Sequence, residues 1–311
     1  MTSIPSSSTA TTIDAMDILL EPFAYGYMVN AIWVSALVGA TCAFLSAFLM
    51  LKGWSLIGDA LSHSVVPGVA GAYMLGLPFA LGAFLSGGLA AAAMLALTGR
   101  SRLKTDTAIG VIFTGFFGLG LFMASLRPAA VDLQTITLGN ILAITPGDTL
   151  QVVIIAAVTL TVLLLKWRDL ACIFFDETHA QAIGLNVRFW KVMLFTLLAA
   201  SSVAAMQTVG AFLVVAMVVT PGATAYLLTD RFGRLLACSV VLGAGSCAVG
   251  AWLSYFLDGA TGGVIVVLQT ALFAAAFVLA PTHGLLARRR LARMAPTGGP
   301  EVLPDPVGDR P

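Results

Sequence analysis

The chain has 311 residues; 59% are apolar, 10% are charged and the net charge is +1. A soluble domain carries roughly a quarter of its residues as charges and could not bury so large an apolar share, whereas a bilayer accepts it because hydrocarbon is the solvent. A charge this close to balance offers no basic surface for nucleic acid, and Cys42, Cys172, Cys238 and Cys247 lack metal-ligand spacing and are not expected to form disulfides.

Residues 1–12 are rich in Ser and Thr, with no basic residue before the first apolar run, unlike a cleaved signal peptide. A spanning helix needs about 20 mostly apolar residues. The charge-free run 29–51 is one span. The run 57–98 holds two, with a break predicted at Gly76-Leu77-Pro78. A fourth covers 107–126 and a short fifth covers 149–165. The run 192–229 is too long for one helix, and a break near Gln207 to Gly210 makes it two spans or one span plus a re-entrant piece. Runs 235–257 and 259–282 complete a count of nine, with eight as the fallback. Residues 296–311 read as a disordered tail. The fold class expected is an all-α integral membrane protein, a bundle of roughly 8–9 transmembrane helices.

Charge tests the count independently, because basic residues favour cytoplasmic loops. With the N-terminus outside and nine alternating spans, the inside segments hold Lys52; Arg100, Arg102 and Lys104; Lys166, Arg168, Arg188 and Lys191; Arg231 and Arg234; and Arg288, Arg289, Arg290, Arg293 and Arg310. That is 15 of 16 basic residues, with only Arg127 outside. The glycines of the spans, such as Gly82, Gly87 and Gly110, suit close helix packing in lipid.

Ionisable residues inside a membrane are costly and usually functional. The predicted spans contain two, Asp59 and His63, four residues apart and so on one helix face. Counted from Lys52, they lie about 10 Å and about 16 Å into the membrane. A carboxylate and an imidazole on one face can share a divalent cation, the oxygen suiting Mn(II) and the nitrogen Fe or Zn. Alternatively, Asp59 caps the helix and His63 hydrogen-bonds a neighbour. Ser62 and Ser64 flank the histidine as supporting donors or as packing. Pro67 lacks a backbone donor and would kink the helix just beyond His63, freeing carbonyl oxygens.

The longest inside loop is predicted over 166–191. Within it, Asp176 is an N-cap, Glu177 suits the positive helix end and Gly184 is a stop, so a short helix is expected. Ala180, Ile183 and Leu185 give it an apolar patch. It reads as a docking knob or as a simple connector. His179 and His283 read as surface histidines. No G-x-x-x-x-G-K-[ST] phosphate loop occurs, so any ATP hydrolysis belongs to another chain.

At Gly58-Asp59-Ala60-Leu61-Ser62-His63-Ser64-Val65-Val66-Pro67-Gly68 the sequence resembles the manganese/zinc/iron permeases of the ABC-3 family of ABC importers. Lys104-Thr105-Asp106-Thr107-Ala108-Ile109-Gly110 followed by Phe113-Thr114-Gly115-Phe116-Phe117 is similar to a loop segment of that family, Asp176 to Leu185 to its coupling helix, and Thr220-Pro221-Gly222-Ala223-Thr224-Ala225 to a later segment. Gly222 stands where many of its members carry alanine, a departure from which little consequence is expected.

The resemblance implies a type II ABC importer-like permease, with an external segment at 1–26, a transmembrane domain at 27–287 carrying the coupling loop 166–191, and a basic cytoplasmic tail at 288–311. It implies a multi-pass protein of the bacterial plasma (inner) membrane, N-terminus outside and C-terminus cytoplasmic. Its partners would be a second permease copy, cytoplasmic ATP-binding subunits, an extracytoplasmic metal-binding protein and membrane lipid. Asp59 and His63 match the family's metal-contacting residues, and Asp176, Glu177, Ala180, Ile183 and Gly184 fall in its coupling helix. No permanently bound cofactor is expected; the cargo would be Mn(II), then Fe(II), then Zn(II). The alternatives are a proton-coupled secondary metal transporter without an ATPase partner and, more remotely, a membrane enzyme.

Overall fold

A computed structural model describes residues 19–54, 56–100, 104–126 and 144–280. The Ser/Thr-rich start, Arg102, Arg127, His283 and the arginine-rich tail lie outside the described residues. Among the described residues every regular element is helical. A 3-10 turn, Glu21–Ala24, leads into α1 (Gly26–Lys52), α2 (Ile57–Ser64), α3 (Val66–Leu75), α4 (Phe79–Arg100) and α5 (Thr105–Leu126). After these come α6 (Pro146–Phe175), α7 (Glu177–Ala182), α8 (Val187–Val209), α9 (Ala211–Leu228), α10 (Phe232–Leu257) and α11 (Thr261–Leu279).

Seven of these helices are long and apolar enough to cross a membrane: α1, α4, α5, α6, α8, α10 and α11. The broken pair α2–α3 spans about 28 Å and α9 about 27 Å, close to a hydrocarbon core of about 30 Å. Counting each as one crossing gives nine among the described residues. The break between α8 and α9 falls at Gly210, inside the predicted window, with φ +84 and ψ 158. A side chain at that φ would be strained, which is why the apolar run divides there.

Two expectations need correction. The fifth span does not stop at Leu165; α6, 30 residues long in all, runs on to Phe175. A membrane boundary does not end a helix whose residues still favour it, and the extension is held from both sides. Lys166 pairs with Asp169 at 3.4 Å, and Leu170, Ile173 and Phe174 are buried. The loop predicted at 166–191 is therefore largely helical. The depth count for Asp59 also changes, because the chain leaves α1 at the left-handed Gly53 and starts a new helix at Ile57. Measured from the start of α2, Asp59 lies about 3 Å and His63 about 9 Å along the axis.

The core forms around α1, which packs against α10, α9, α6 and α8. Hydroxyls stitch it to its neighbours: Ser239 on α10 donates to the Ala43 carbonyl at 2.7 Å, and Ser46 on α1 receives the Gly222 N–H of α9 at 3.1 Å. A Cβ on Gly222 would sit 2.8 Å from the carbonyl carbon and oxygen of Ser46. The departure at Gly222 is thus not neutral here: the two backbones approach too closely for alanine unless one of them shifts. At the end where α1 stops, an aromatic cluster joins Phe48, Trp54, Phe174, Phe195 and Phe232. The other end of α1 sits beside the last turns of α10, where the Trp252 indole donates to the Leu19 carbonyl and Tyr25 approaches Tyr255.

Candidate functional site

Asp59 lies in the first turn of α2 and His63 in its last. Four residues of helix bring them onto one face, with His63 Nε2 3.3 Å from Asp59 Oδ1. The side chains are 23% exposed for His63 and 39% for Asp59, so the pair is neither sealed in the core nor fully open. Asp59 makes no capping bond at the start of α2, whose N-cap position is Leu56; the capping alternative is not what the side chain does. The pair offers one carboxylate and one imidazole, a mixed set that suits a divalent first-row metal. Among the described residues no cluster of three or more His, Cys, Asp or Glu side chains could hold a metal. An ion at this pair would complete its shell with water or backbone oxygen.

The flanking serines are occupied elsewhere. Ser62 donates to the Gly58 carbonyl at 2.8 Å and Ser64 to the Ala60 carbonyl at 2.6 Å, each four residues back on their own helix. Both are buried, and a hydroxyl has one proton to give, so neither donates to the Asp59–His63 pair. The interruption expected from Pro67 is present, but it falls at Val65, between α2 and α3. Pro67 cannot donate to the His63 carbonyl as a helix would require; the Val65 N–H turns to that carbonyl instead. Ser86 on α4 donates to the Ser64 carbonyl at 2.6 Å. The freed polar backbone is thus partly satisfied from within the bundle rather than left open.

Two residues beside the pair stand in a segment that carries the family resemblance, but nothing in it assigned them to this site. Phe113 and Phe117, one turn apart on α5, face the imidazole at ring-centroid distances of 5.7 and 5.3 Å. They stack on each other at 5.8 Å. Their i, i+4 spacing was a legible signal for a shared face, yet nothing in the sequence tied that face to His63. Together they place an apolar surface against the ring. Gly120, farther along α5, packs its backbone against Val66 and Pro67, holding α5 close beside the break.

The second predicted feature is α7. Asp176 is its N-cap, and its carboxylate accepts the N–H groups of Thr178 at 2.9 Å and His179 at 3.1 Å. The His179 N–H foremost, with that of Thr178, holds the Asp176 carboxyl below its usual pKa against some desolvation. Gly184 stops the segment with a left-handed backbone. Ile183 is 57% exposed, and His179 is also exposed. Ala180 is 0% exposed and must be removed from the predicted apolar surface. The spacing could not show that α7 lies flat on the bundle and turns this position inward. Glu177 also faces inward. Lys52, at the end of α1, donates to its Oε1 at 3.0 Å, and Lys191, near the start of α8, donates to its Oε2 at 2.6 Å. Burial would raise the Glu177 pKa, but the bonds from Lys191 and Lys52 outweigh it and the net shift is downward.

Comparison with known proteins agrees with this architecture. The model of the ABC 3 transport family matches residues 24–280. The chelated iron transport system membrane protein YfeC of Yersinia pestis is 60% identical over 290 residues, covering 93% of this chain and 99% of that protein. The manganese transport system membrane protein MntB of Synechocystis sp. is 49% identical over 278 residues, covering 89% of this chain and 91% of the relative. Among solved structures, PsaBC from Streptococcus pneumoniae in complex with Fab superposes with a TM-score of 0.78 at 34% identity, covering 88% of this chain and 99% of that one.

Proposed function

The chain belongs to the ABC 3 transport family, and from that premise we propose that it is the membrane-spanning permease subunit of an ATP-driven importer that passes a divalent first-row metal ion along Asp59 and His63. The observation that carries this reading is the pair itself: an acid and an imidazole 3.3 Å apart, half-open, beside an interrupted helix in an otherwise apolar bundle. An ion that must enter and leave needs few and exchangeable ligands, and two protein ligands with the remainder supplied by water meet that need.

The similar proteins are named for iron and manganese transport, and the oxygen–nitrogen pair suits Mn(II) and Fe(II). Zn(II) ranks third, since its closed sites favour thiolate and several imidazoles. ATP hydrolysis falls to cytoplasmic subunits that dock at α7, because this chain carries no phosphate loop. An extracytoplasmic metal-binding protein delivers the ion, and a second copy of the permease completes the transport pathway. The distribution of Lys and Arg supports a topology with α7 and the 288–311 tail in the cytoplasm and the 1–26 segment outside.

The test is metal-dependent ATPase activity and metal uptake by the complex reconstituted in vesicles with its ATP-binding subunit and binding protein, run with Mn(II), Fe(II) and Zn(II). Uptake that needs ATP and saturates first with Mn(II) or Fe(II) supports the reading. Uptake that persists without the ATPase subunit and collapses with the proton gradient assigns the chain to proton-coupled transport instead.

A further inference from the structure

Glu177 is the meeting point of three helix ends. Its two carboxylate oxygens go to different partners, Oε1 to Lys52 on α1 and Oε2 to Lys191 on α8. Lys52 is the last residue of α1, and the short connection that follows it leads directly into α2. That connection is pinned as well: Trp54 is buried, lies edge-on to Phe174 at 5.7 Å and approaches Phe195 at 5.5 Å. Phe174 stands at the end of α6, just before α7, and Phe195 is on α8. Only six residues separate Lys52 from Asp59. A displacement of α7 therefore has two short routes to the helix that carries Asp59 and His63, one ionic through Glu177 and one aromatic through Trp54.

We propose that Glu177 is a positioning residue for transport, a strut that carries movement of α7 through Lys52 and Lys191 to the segment bearing the metal pair. The proposal rests on the reading of α7 as the element that the ATP-binding subunit pushes. The side chains involved are 23% exposed for each lysine and 35% for Glu177, and pairs that exposed contribute little to folding. Their bidentate arrangement does fix relative position, since a shift of Glu177 must stretch one contact or drag a lysine with it. The ordinary function of a surface ion pair, a small gain in stability, does not require one acid to bridge the ends of two separate spans.

The test uses the full complex in vesicles with Lys52→Met, Lys191→Met, Glu177→Gln and the double variant Lys52→Met/Glu177→Gln. Co-purification of the ATP-binding subunit, the thermal midpoint, ATP hydrolysis and metal uptake are measured on each. The expected result is that the complexes assemble and melt near the wild-type temperature, while ions moved per ATP fall roughly fivefold or more. In the double variant the fall should match that of Glu177→Gln alone, because both substitutions cut one strut. Unchanged transport per ATP, or losses that multiply in the double variant, would overturn the proposal. So would loss of the ATP-binding subunit, which would make Glu177 a docking residue. Wild-type vesicles that show no ATP-driven uptake would instead remove the underlying reading of α7, so the two failures are distinguishable.

Discussion

His63 Nε2 and Asp59 Oδ1 face each other at 3.3 Å across one turn of α2, and the imidazole also meets the rings of Phe113 and Phe117. The setting of the pair is thus defined by packing on α5 as much as by α2.

Replacing either member of the proposed metal pair should stop transport without unfolding the bundle. Asp59→Ala and His63→Ala are expected to lower metal uptake by about 100-fold or more, beyond the 10–100-fold seen when a residue that only orients a ligand is changed. Phe117→Ala, which touches the ring but offers no ligand, should fall within that smaller range. Radiometal uptake in vesicles, with complex assembly followed by size-exclusion chromatography, checks all three. Normal uptake in both ligand variants would remove the site.

Gly222→Ala should destabilise the permease through the contact between α9 and α1. The added Cβ would meet the Ser46 backbone at 2.8 Å, and overpacking of this kind costs about 1–3 kcal/mol. Ser46→Ala loses the hydroxyl that accepts the Gly222 N–H and donates to the Val219 carbonyl at 3.3 Å, a loss of about 1 kcal/mol for each bond. Thermal unfolding of the purified protein in detergent should place both variants below wild type.

Charge introduced on α7 should act differently at two positions three residues apart. Ile183→Asp, at an exposed site, is expected to release the ATP-binding subunit while the permease stays folded. Ala180→Asp, at a fully buried site, should lower the yield and melting temperature of the permease itself. Co-purification and thermal shift measured side by side separate these outcomes; equal behaviour of the two variants would contradict the inward orientation of Ala180.

The cap of α7 should loosen in acid. The Asp176 and Glu177 carboxyls are both held below their ordinary values of 3.8 and 4.5. A depressed folded-state pKa means that the stabilisation is fully present above the unfolded value and is lost as pH falls through the folded one. Proteolytic or hydrogen-exchange protection of the Thr178 and His179 amides is thus expected to be flat from neutral pH down to about 4.5 and to decline below it. Asp176→Asn keeps an oxygen acceptor without a titrating group and should flatten most of that decline.

Much of the fold was legible because membrane burial writes itself into composition. Runs such as 29–51 and 235–257 lack charge, and α1 and α10 appear where those runs stand. The break at Gly210 was legible because a charge-free run too long for one crossing must divide, and glycine tolerates the required φ. The continuation of α6 past Leu165 was not legible, since Lys166 to Asp169 look like a loop when only hydropathy is read. Their helicity depends on what Ile173 and Phe174 pack against. At the site, Asp59 and His63 stood out as the ionisable residues of the spans, but their aromatic neighbours did not, because phenylalanine in a span is the expected residue and carries no mark of function.

The order of residues alone determined that this chain crosses a membrane, roughly where each crossing starts and stops, and that an acid and an imidazole share a helix face. These properties depend on local hydropathy, on the 3.6-residue period and on the cost of charge in hydrocarbon. The tertiary structure alone decided that Ala180 faces inward, that Gly222 allows α9 to touch α1, that Phe113 and Phe117 wall His63, and that Glu177 joins the ends of α1 and α8. Each of those is a contact between segments far apart in the chain, and in a bundle of nearly uniform apolar helices no local pattern specifies which face meets which.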